Sequence, residues 1–361
     1  MGHSISILFV LPTRGGGGGA HSIAQEANEM VRLGIDVNIA VNEKNALKFA
    51  TTYADMPNVC NAVQSFKNSQ ELGSLLEGKD LVVCTVFTTV KMVKEAYFYI
   101  EGVLPKIAYY IQDYEPLFSP VKDPLHQEAF DSYCAFSGAL LYAKTDWIRE
   151  VVMRNHDVKV SKVFPSLDTV IYYPNTTFLD NGPTRISVMV RPSTPRRAPR
   201  RTMTAMKELK STWGDEISIN IFGCTDDEIV EYQLPCDFEY VNHGVLSRTQ
   251  MGAFLRQSDV FMDLSDYQAF GRTGLEAMAC GCACILPLHG GTDEYAIDMV
   301  NSRLVDTRNL DSILDVFAWY QTESQETRNS LRRSAISKSL EYSVRRAAVS
   351  ELTLFEQHLA A

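Results

Sequence analysis

Two stretches concentrate residues suited to a charged, hydroxyl-bearing ligand. The first is VRPSTPRRAPRR, Val190 to Arg201, with Arg191, Arg196, Arg197, Arg200 and Arg201 inside eleven residues. Guanidinium groups stay charged at physiological pH and grip phosphate oxygens two at a time. Prolines stiffen the stretch, which limits the entropy lost on binding. Arg191, at a strand end, and Arg196, five residues on, are the candidates for a diphosphate. Arg200 and Arg201 read as a solvated face. The second stretch is QAFGRTGLEAMACG, Gln268 to Gly281. Gly271, Arg272 and Thr273 stand where a helix should begin, and free backbone N–H groups there favour an anion. Glu276 follows within two turns. Its carboxylate suits a vicinal diol such as a ribose, because it can accept from both hydroxyls. The plain alternative is a helix-dipole carboxylate worth ~0.3–1 kcal/mol.

Two further loops carry unusual chemistry. PTRGGGGGAHS (12–22) places five glycines between a strand and a helix. Gly17, Gly18 and Gly19 would let backbone N–H groups approach a phosphate or sugar. The dinucleotide pattern G-x-G-x-x-G is met weakly, with Ala20 in the last place, and Glu43 stands near the distance of a ribose-binding acid. On this loop alone a nicotinamide and a sugar-nucleotide reading cannot be separated. YYIQDYEPLFSP (109–120) sets Gln112, Asp113 and Glu115 among aromatic rings just after a strand, which suits a sugar or a base.

These loops must be positioned by the elements before them. Short apolar runs at 5–11, 36–41, 80–86, 106–111 and 138–144 alternate with helical periods. The rhythm breaks over 164–185, which is rich in proline and small polar residues and reads as a linker. It restarts with strands at 185–190, 216–223, 237–244, 259–265 and 282–288. Helices are expected at 202–210, 247–257 with Ser247 as cap, 271–281, 309–320 and 323–338. The last twenty residues read as one amphipathic helix. Repeated β-α units imply an α/β protein with two mainly parallel sheets, and ligands bind beyond the carboxyl ends of such strands. Two facing sheets would put a cleft between the domains.

The bulk numbers agree. At 361 residues, two domains are the default. A net charge of −10 argues against general nucleic-acid binding. No apolar run reaches the ~20 residues of a membrane span. The eight cysteines show no disulfide spacing, so a reduced, cytoplasmic protein is expected. Cys282 and Cys284 lack the further ligands a zinc site needs, and no metal is expected.

The stretch from Gln268 to Gly281 resembles the family-4 retaining glycosyltransferases of the GT-B fold. That family sets two glutamates eight positions apart around Phe-Gly, the second followed by Ala-Met-Ala-Cys-Gly. Glu276 fits the second glutamate, which holds the donor's ribose, and Phe270 and Gly271 also fit. The amides after Gly271, at Arg272 and Thr273, would meet the diphosphate. Arg191 and Arg196 match the basic pair that neutralises it. IFGCTDDE and the segment starting NHGVLSRT match the family's glycine turns, which brings in Gly223 and His243 as donor contacts. Asp168 is in register with the family's stretch before the linker. Gly18 and Gly19 fall in the more loosely matching N-terminal part.

The resemblance implies a fold of two Rossmann-like domains facing across a cleft. They are an acceptor-side domain over 1–175, a nucleotide-sugar domain over 185–340, and a helix at 341–361 that crosses back. YIQDYEPLF and RPSTPRR look nearest the rhamnosyltransferases of S-layer and O-antigen glycans, which would make dTDP-rhamnose the donor. The acceptor would be a glycan or lipid-linked glycan, and the latter would bring the protein to the inner face of a membrane. No separate cofactor is implied. The absence of any Asp-x-Asp pair points to metal-independent transfer.

One departure stands out. The first glutamate of the pair is Gln268 here, and an amide can hydrogen-bond a hydroxyl but cannot act as a carboxylate base. A histidine of the family's first domain is also replaced near Gln112 and Asp113. Of the remaining carboxylates, Asp113 ranks ahead of Asp263 and Asp266 for acid–base work. Two alternatives remain: a non-catalytic sugar-nucleotide binder, and an NAD-dependent oxidoreductase using the glycine loop and Glu43.

Overall fold

The computed structural model of the chain describes residues 5–12, 15–175 and 182–361. Residues 13–14 of the glycine-rich loop and 176–181 of the expected linker lie outside the described residues. The chain divides into two units, 1–166 with 342–361, and 167–341.

In the first unit the chain runs β1 (Ser6–Leu11), α1 (Gly18–Arg32), β2 (Asp36–Asn42), α2 (Glu43–Thr52), α3 (Pro57–Ala62), β3 (Val63–Phe66), α4 (Ser69–Leu76) and β4 (Leu81–Cys84). It continues through α5 (Phe87–Ala96), β5 (Lys106–Ile111), α6 (Pro124–Ser132), β6 (Leu140–Ala143), α7 (Asp146–His156) and β7 (Val160–Lys162). The strands form one parallel sheet in the order β3-β2-β1-β4-β5-β6-β7. Helices cover both faces of such a sheet, so its central strands are continuous apolar runs. Ile7 to Leu11 and Leu81 to Cys84 are all buried.

The second unit runs β8 (Thr184–Met189), α8 (Pro199–Trp213), β9 (Ile217–Phe222), α9 (Asp226–Glu231), β10 (Val241–Asn242), α10 (Arg248–Arg256) and β11 (Val260–Met262). Then follow α11 (Arg272–Ala279), β12 (Ala283–Pro287), β13 (Arg303–Val305), α12 (Leu310–Thr322) and α13 (Gln325–Ser339). Its parallel sheet has the order β10-β9-β8-β11-β12-β13. Each unit is thus a Rossmann-like domain. Strand order reverses beside its first strand, and the loops leaving the two central strands diverge there to leave a ligand crevice. The crevice strands are β1 and β4 in one unit, β8 and β11 in the other.

The last helix, α14 (Val344–Ala360), completes the first unit. Ala348, Leu352 and Phe355 join the core built by Ile7, Phe9 and Tyr142. Inside this contact, fully buried Glu351 of α14 meets fully buried Glu26 of α1. Burial, and then the neighbouring Glu26, push the Glu351 carboxyl well above the ordinary carboxylate range, against the pull of Lys144 and the Tyr142 hydroxyl. Two carboxyls and one ammonium share the site, so holding one proton keeps it neutral. Ser166 donates to Glu26 and accepts from Gln25 at 2.5 Å.

The structure corrects the expected segmentation at two points. Residues 167–175, assigned from composition to the first domain and the linker, are pinned to α10 of the second unit. Arg256 donates to the Ile171 carbonyl at 2.9 Å and stacks 4.1 Å from the Tyr173 ring. Asn175 Nδ2 donates to the Arg256 carbonyl at 2.8 Å, and Arg248 pairs with Asp168. Proline and small polar residues made this stretch look free, but specific side chains hold it. The strands β3, β7 and β13 were also not anticipated. All three are sheet edges of three or four residues, too short for an apolar run.

Candidate functional site

In the second unit, the loops leaving β8 and β11 are laced together. The Asp266 amide donates to the Arg196 carbonyl at 2.9 Å. Arg201 pairs with the Asp266 carboxylate at 2.6 Å and donates to the Leu264 carbonyl at 3.0 Å. Arg200 donates to the Tyr232 carbonyl at 3.1 Å. Arg201 is therefore a structural tie, whereas Arg200 stays exposed, as a solvated face would. Arg191 is exposed at the strand end, and Arg196 lies half-buried with its guanidinium 5.6 Å from the Tyr267 ring. Arg197, unassigned from the sequence, points inward, with Nη1 3.9 Å from Asp263 Oδ2. Gly223 and His243 stand at the ends of β9 and β10. The Gly223 amide donates to the Gly244 carbonyl at 2.8 Å, and the His243 ring meets Asn220 Oδ1 at 3.0 Å.

Asp263, just past β11, is 4% exposed and organises the loop behind it. Its Oδ1 accepts from the Ser265 amide at 3.0 Å and the Ser265 hydroxyl at 2.5 Å. Its Oδ2 accepts from Gln268 Nε2 at 2.5 Å. Gln268 Nε2 also donates to Ser265 Oγ at 3.1 Å. The Gln268 backbone lies against Gly290, where a Cβ would come within 2.2 Å of the Gln268 carbonyl oxygen, at a φ of +105°. Only glycine fits there.

Beyond Gln268, Phe270 packs edge-on against Tyr295, and the Tyr295 hydroxyl donates to the Gly271 carbonyl at 2.7 Å. Gly271 caps α11 in the left-handed region, at φ +78°, and as a glycine it brings no side-chain cap to the first turn. A helix start left open in this way is a place for an anion. One to two turns on, the Glu276 side chain is turned inward. Its carboxyl takes a hydrogen bond from Tyr172 and lies 3.9 Å from Arg272 Nη1. Burial pushes it up to about 7, against the pull of Arg272, Arg248 and Tyr172. Arg248, itself paired with Asp168, ties this cluster to the 167–175 segment. The sequence pattern gives Asp168 a register but Tyr172 no role, and nothing in the chain marks Arg248.

The first unit carries the remaining candidates. Gly18 and Gly19 open α1, and a Cβ at Gly19 would sit 2.8 Å from Gln112 Oε1. Gln112 Nε2 donates to the Thr85 carbonyl at 3.4 Å, and the Thr85 hydroxyl to the Val10 carbonyl at 2.7 Å. The loops after β1, β4 and β5 are thereby joined. Asp113 is buried, and its Oδ1 accepts from the Tyr114 amide at 2.9 Å. Its neighbour Glu115 accepts on one oxygen from the Phe87 amide at 2.6 Å and the Tyr109 hydroxyl at 3.0 Å. Burial drives the Glu115 carboxyl up to about 8, and the charge of Asp113 adds to this. Glu43, the acid of the dinucleotide reading, pairs with Lys67 at 3.5 Å on the surface. The eight cysteines are free thiols. Among the described residues, no helix is long and apolar enough to cross a membrane.

Comparison with known proteins bears directly on the loops after β8 and β11. Residues 179–338 match the family model for glycosyl transferases, group 1. This match covers most of the second unit. Sucrose synthase 1 of Hordeum vulgare is 30% identical over 92 residues, which are 24% of this chain and 11% of that protein. The chain thus matches a small part of that relative's length. The crystal structure of Anabaena HepE with UDP and glucose aligns with a TM-score of 0.80 at 14% identity, over 98% of this chain and 99% of that one. Sucrose-phosphate synthase of Thermosynechococcus elongatus aligns with a TM-score of 0.77 at 12% identity, over 98% and 99%. Likeness at such identities is one of fold. It identifies the two Rossmann-like domains as the GT-B architecture of glycosyltransferases.

Proposed function

We propose that this glycosyltransferase moves a sugar from a nucleoside diphosphate to an acceptor hydroxyl, with the donor held by the second unit. The observation that carries this reading is the uncapped start of α11 at Gly271 beside the arginine loop, with Glu276 buried one turn inside. Diphosphate oxygens would meet the amides of Arg272 and Thr273 and the guanidinium groups of Arg191 and Arg196. Glu276 would accept hydrogen bonds from the nucleoside sugar, with Phe270, Gln268, Gly223 and His243 lining the donor. The complex of HepE with UDP and glucose supports a nucleoside diphosphate sugar as the donor class.

Breaking the anomeric C–O bond leaves negative charge on the β-phosphate. Donors fixed in advance around that charge stabilise it as it develops. The departing phosphate oxygen takes the acceptor's proton, which suits retention of configuration and needs no strong side-chain base. Asp113 is the proposed carboxylate of the first unit for orienting the acceptor. With arginines and amides on the diphosphate, transfer would run without a metal ion. The proposed donor is dTDP-rhamnose and the acceptor a glycan or lipid-linked glycan, the latter met at the inner face of a membrane.

The test is direct binding and turnover with UDP-glucose, GDP-mannose and dTDP-rhamnose, with NADH as control and with chelator present. Binding of one sugar nucleotide, with transfer or slow donor hydrolysis, supports the reading. Binding of NADH alone, or turnover abolished by chelator and restored by magnesium, would count against it.

A further inference from the structure

Gln268 replaces a carboxylate in the motif, and the structure explains which half of its amide is available. Asp263 Oδ2, at 2.5 Å, can only accept when ionised. Ser265 has one hydroxyl proton, and that proton points to Asp263 Oδ1 at 2.5 Å. Ser265 Oγ therefore also faces Gln268 as an acceptor, at 3.1 Å. With two acceptors on one side, the –NH₂ group must face them, and both its hydrogens are used. This orientation follows from chemistry, independently of how the amide oxygen and nitrogen are assigned. Oε1 is left without a partner among the described residues.

We infer that Asp263 is a positioning residue that turns Gln268 into a fixed hydrogen-bond acceptor for a hydroxyl of the donor's sugar. The inference rests on the donor-site reading above. Gln268 then offers the oxygen a glutamate would offer, without its charge, and Asp263 holds the carboxylate one contact further back. A glutamate at position 268 would set two carboxylates 2.5 Å apart, so the two positions are linked: one acid and one amide. Arg197 Nη1, 3.9 Å from Asp263 Oδ2, sets a positive charge beside this carboxylate. An acceptor of fixed orientation selects a sugar bearing a hydroxyl at the contacted carbon and disfavours the deoxy sugar, which leaves Oε1 unpaired.

The experiment compares Gln268→Glu, Asp263→Asn and the double exchange Asp263→Asn/Gln268→Glu. Ser265→Ala is a milder variant that keeps the charge pair. Two readouts are taken: kcat and KM with UDP-glucose and dTDP-rhamnose, and affinity for UDP and dTDP, which lack the sugar. Each single change at 263 or 268 is expected to lower kcat/KM about tenfold or more, with nucleoside diphosphate affinity within about twofold of the starting protein. The double exchange is expected to regain most of the loss, because an amide at position 263 then donates to a carboxylate at position 268. Ser265→Ala is expected to lose about threefold. A double exchange no better than Gln268→Glu, or single changes without effect, would overturn the inference, as would an unchanged Ser265→Ala if the others fail to fold. Failure of the unaltered protein to bind any sugar nucleotide or nucleoside diphosphate would instead sink the donor-site reading.

Discussion

The Tyr172 hydroxyl is hydrogen-bonded to the Glu276 carboxyl, so a residue outside the motif shapes the proton affinity of its central acid. Tyr172 belongs to the segment pinned on α10, and Glu276 to α11. Together with the partly exposed Arg272, Arg248 and Asp168 they form one polar cluster around the buried Glu276.

Glu276 retains a proton up to about 7 in the unliganded protein. Only the carboxylate accepts from both hydroxyls of a ribose. Affinity for UDP-glucose should therefore fall as pH drops below about 7, by up to about tenfold per unit. Glu276→Gln should bind more weakly and lose this dependence. Calorimetric titration between about pH 6 and 8 checks it. A deoxyribose offers one hydroxyl fewer, so the penalty of Glu276→Gln should be smaller with dTDP than with UDP.

The arginines of the 190–201 loop should separate into two kinds. Arg191→Ala removes an exposed side chain and should leave the melting temperature unchanged while lowering kcat by ~10²–10³. Arg201→Ala removes the partner of Asp266 and of the Leu264 carbonyl, and should cost about 1–3 kcal/mol of stability. Thermal melts alongside kinetics with the donor that binds will distinguish them.

Glu115 gives a pH signature to the first unit. Folded, its carboxyl keeps its proton to about 8, against 4.5 ordinarily. Folding thus takes up a proton between those values, and the stability from this group, full at low pH, is lost as pH rises through about 8. Glu115→Gln retains an oxygen that accepts from Phe87 and Tyr109 and cannot ionise. It should be folded, and its stability relative to the unaltered protein should grow from about pH 5 to pH 8, by up to roughly 4 kcal/mol. Urea denaturation at a series of pH values reads this directly.

Gly290→Ala should be among the most damaging single-methyl changes in the second unit. The added carbon meets Gln268 backbone atoms at 2.2 and 2.7 Å, and the φ of +105° is unsuited to alanine. A loss of about 3–5 kcal/mol is expected, which chemical denaturation against the unaltered protein measures. Displacement of Gln268 should also reduce kcat/KM in whatever folded fraction remains.

Much of this was legible in the sequence, unevenly and for physical reasons. Central strands such as SILFVL and LVVC are buried on both faces, so they appear as unbroken apolar runs. Ser247 announced its helix as an N-cap, and the structure adds the other half of a capping box, the Gln250 side chain. The edge strands VQSF, VSK and RLV have half-exposed residues and no such run. Glu276 and the glycines beside it were visible because an acid in an apolar helix demands a reason. Arg248 and Arg197 were not, since an arginine's partners across the fold leave no local pattern. From the sequence Asp263 reads only as a spare carboxylate. Its tie to Gln268 depends on a turn that brings residues five apart together.

The placement of α14 has a consequence for how the protein is made. Residues 167–341 are contiguous and can collapse as they leave the ribosome. The first unit emerges earlier yet lacks Ala348, Leu352, Phe355 and Glu351 until the whole of the second unit has been made. Its nascent form leaves Glu26 without that carboxyl neighbour and part of its apolar interior wet, so of these two units the earlier in the chain is the later to be completed.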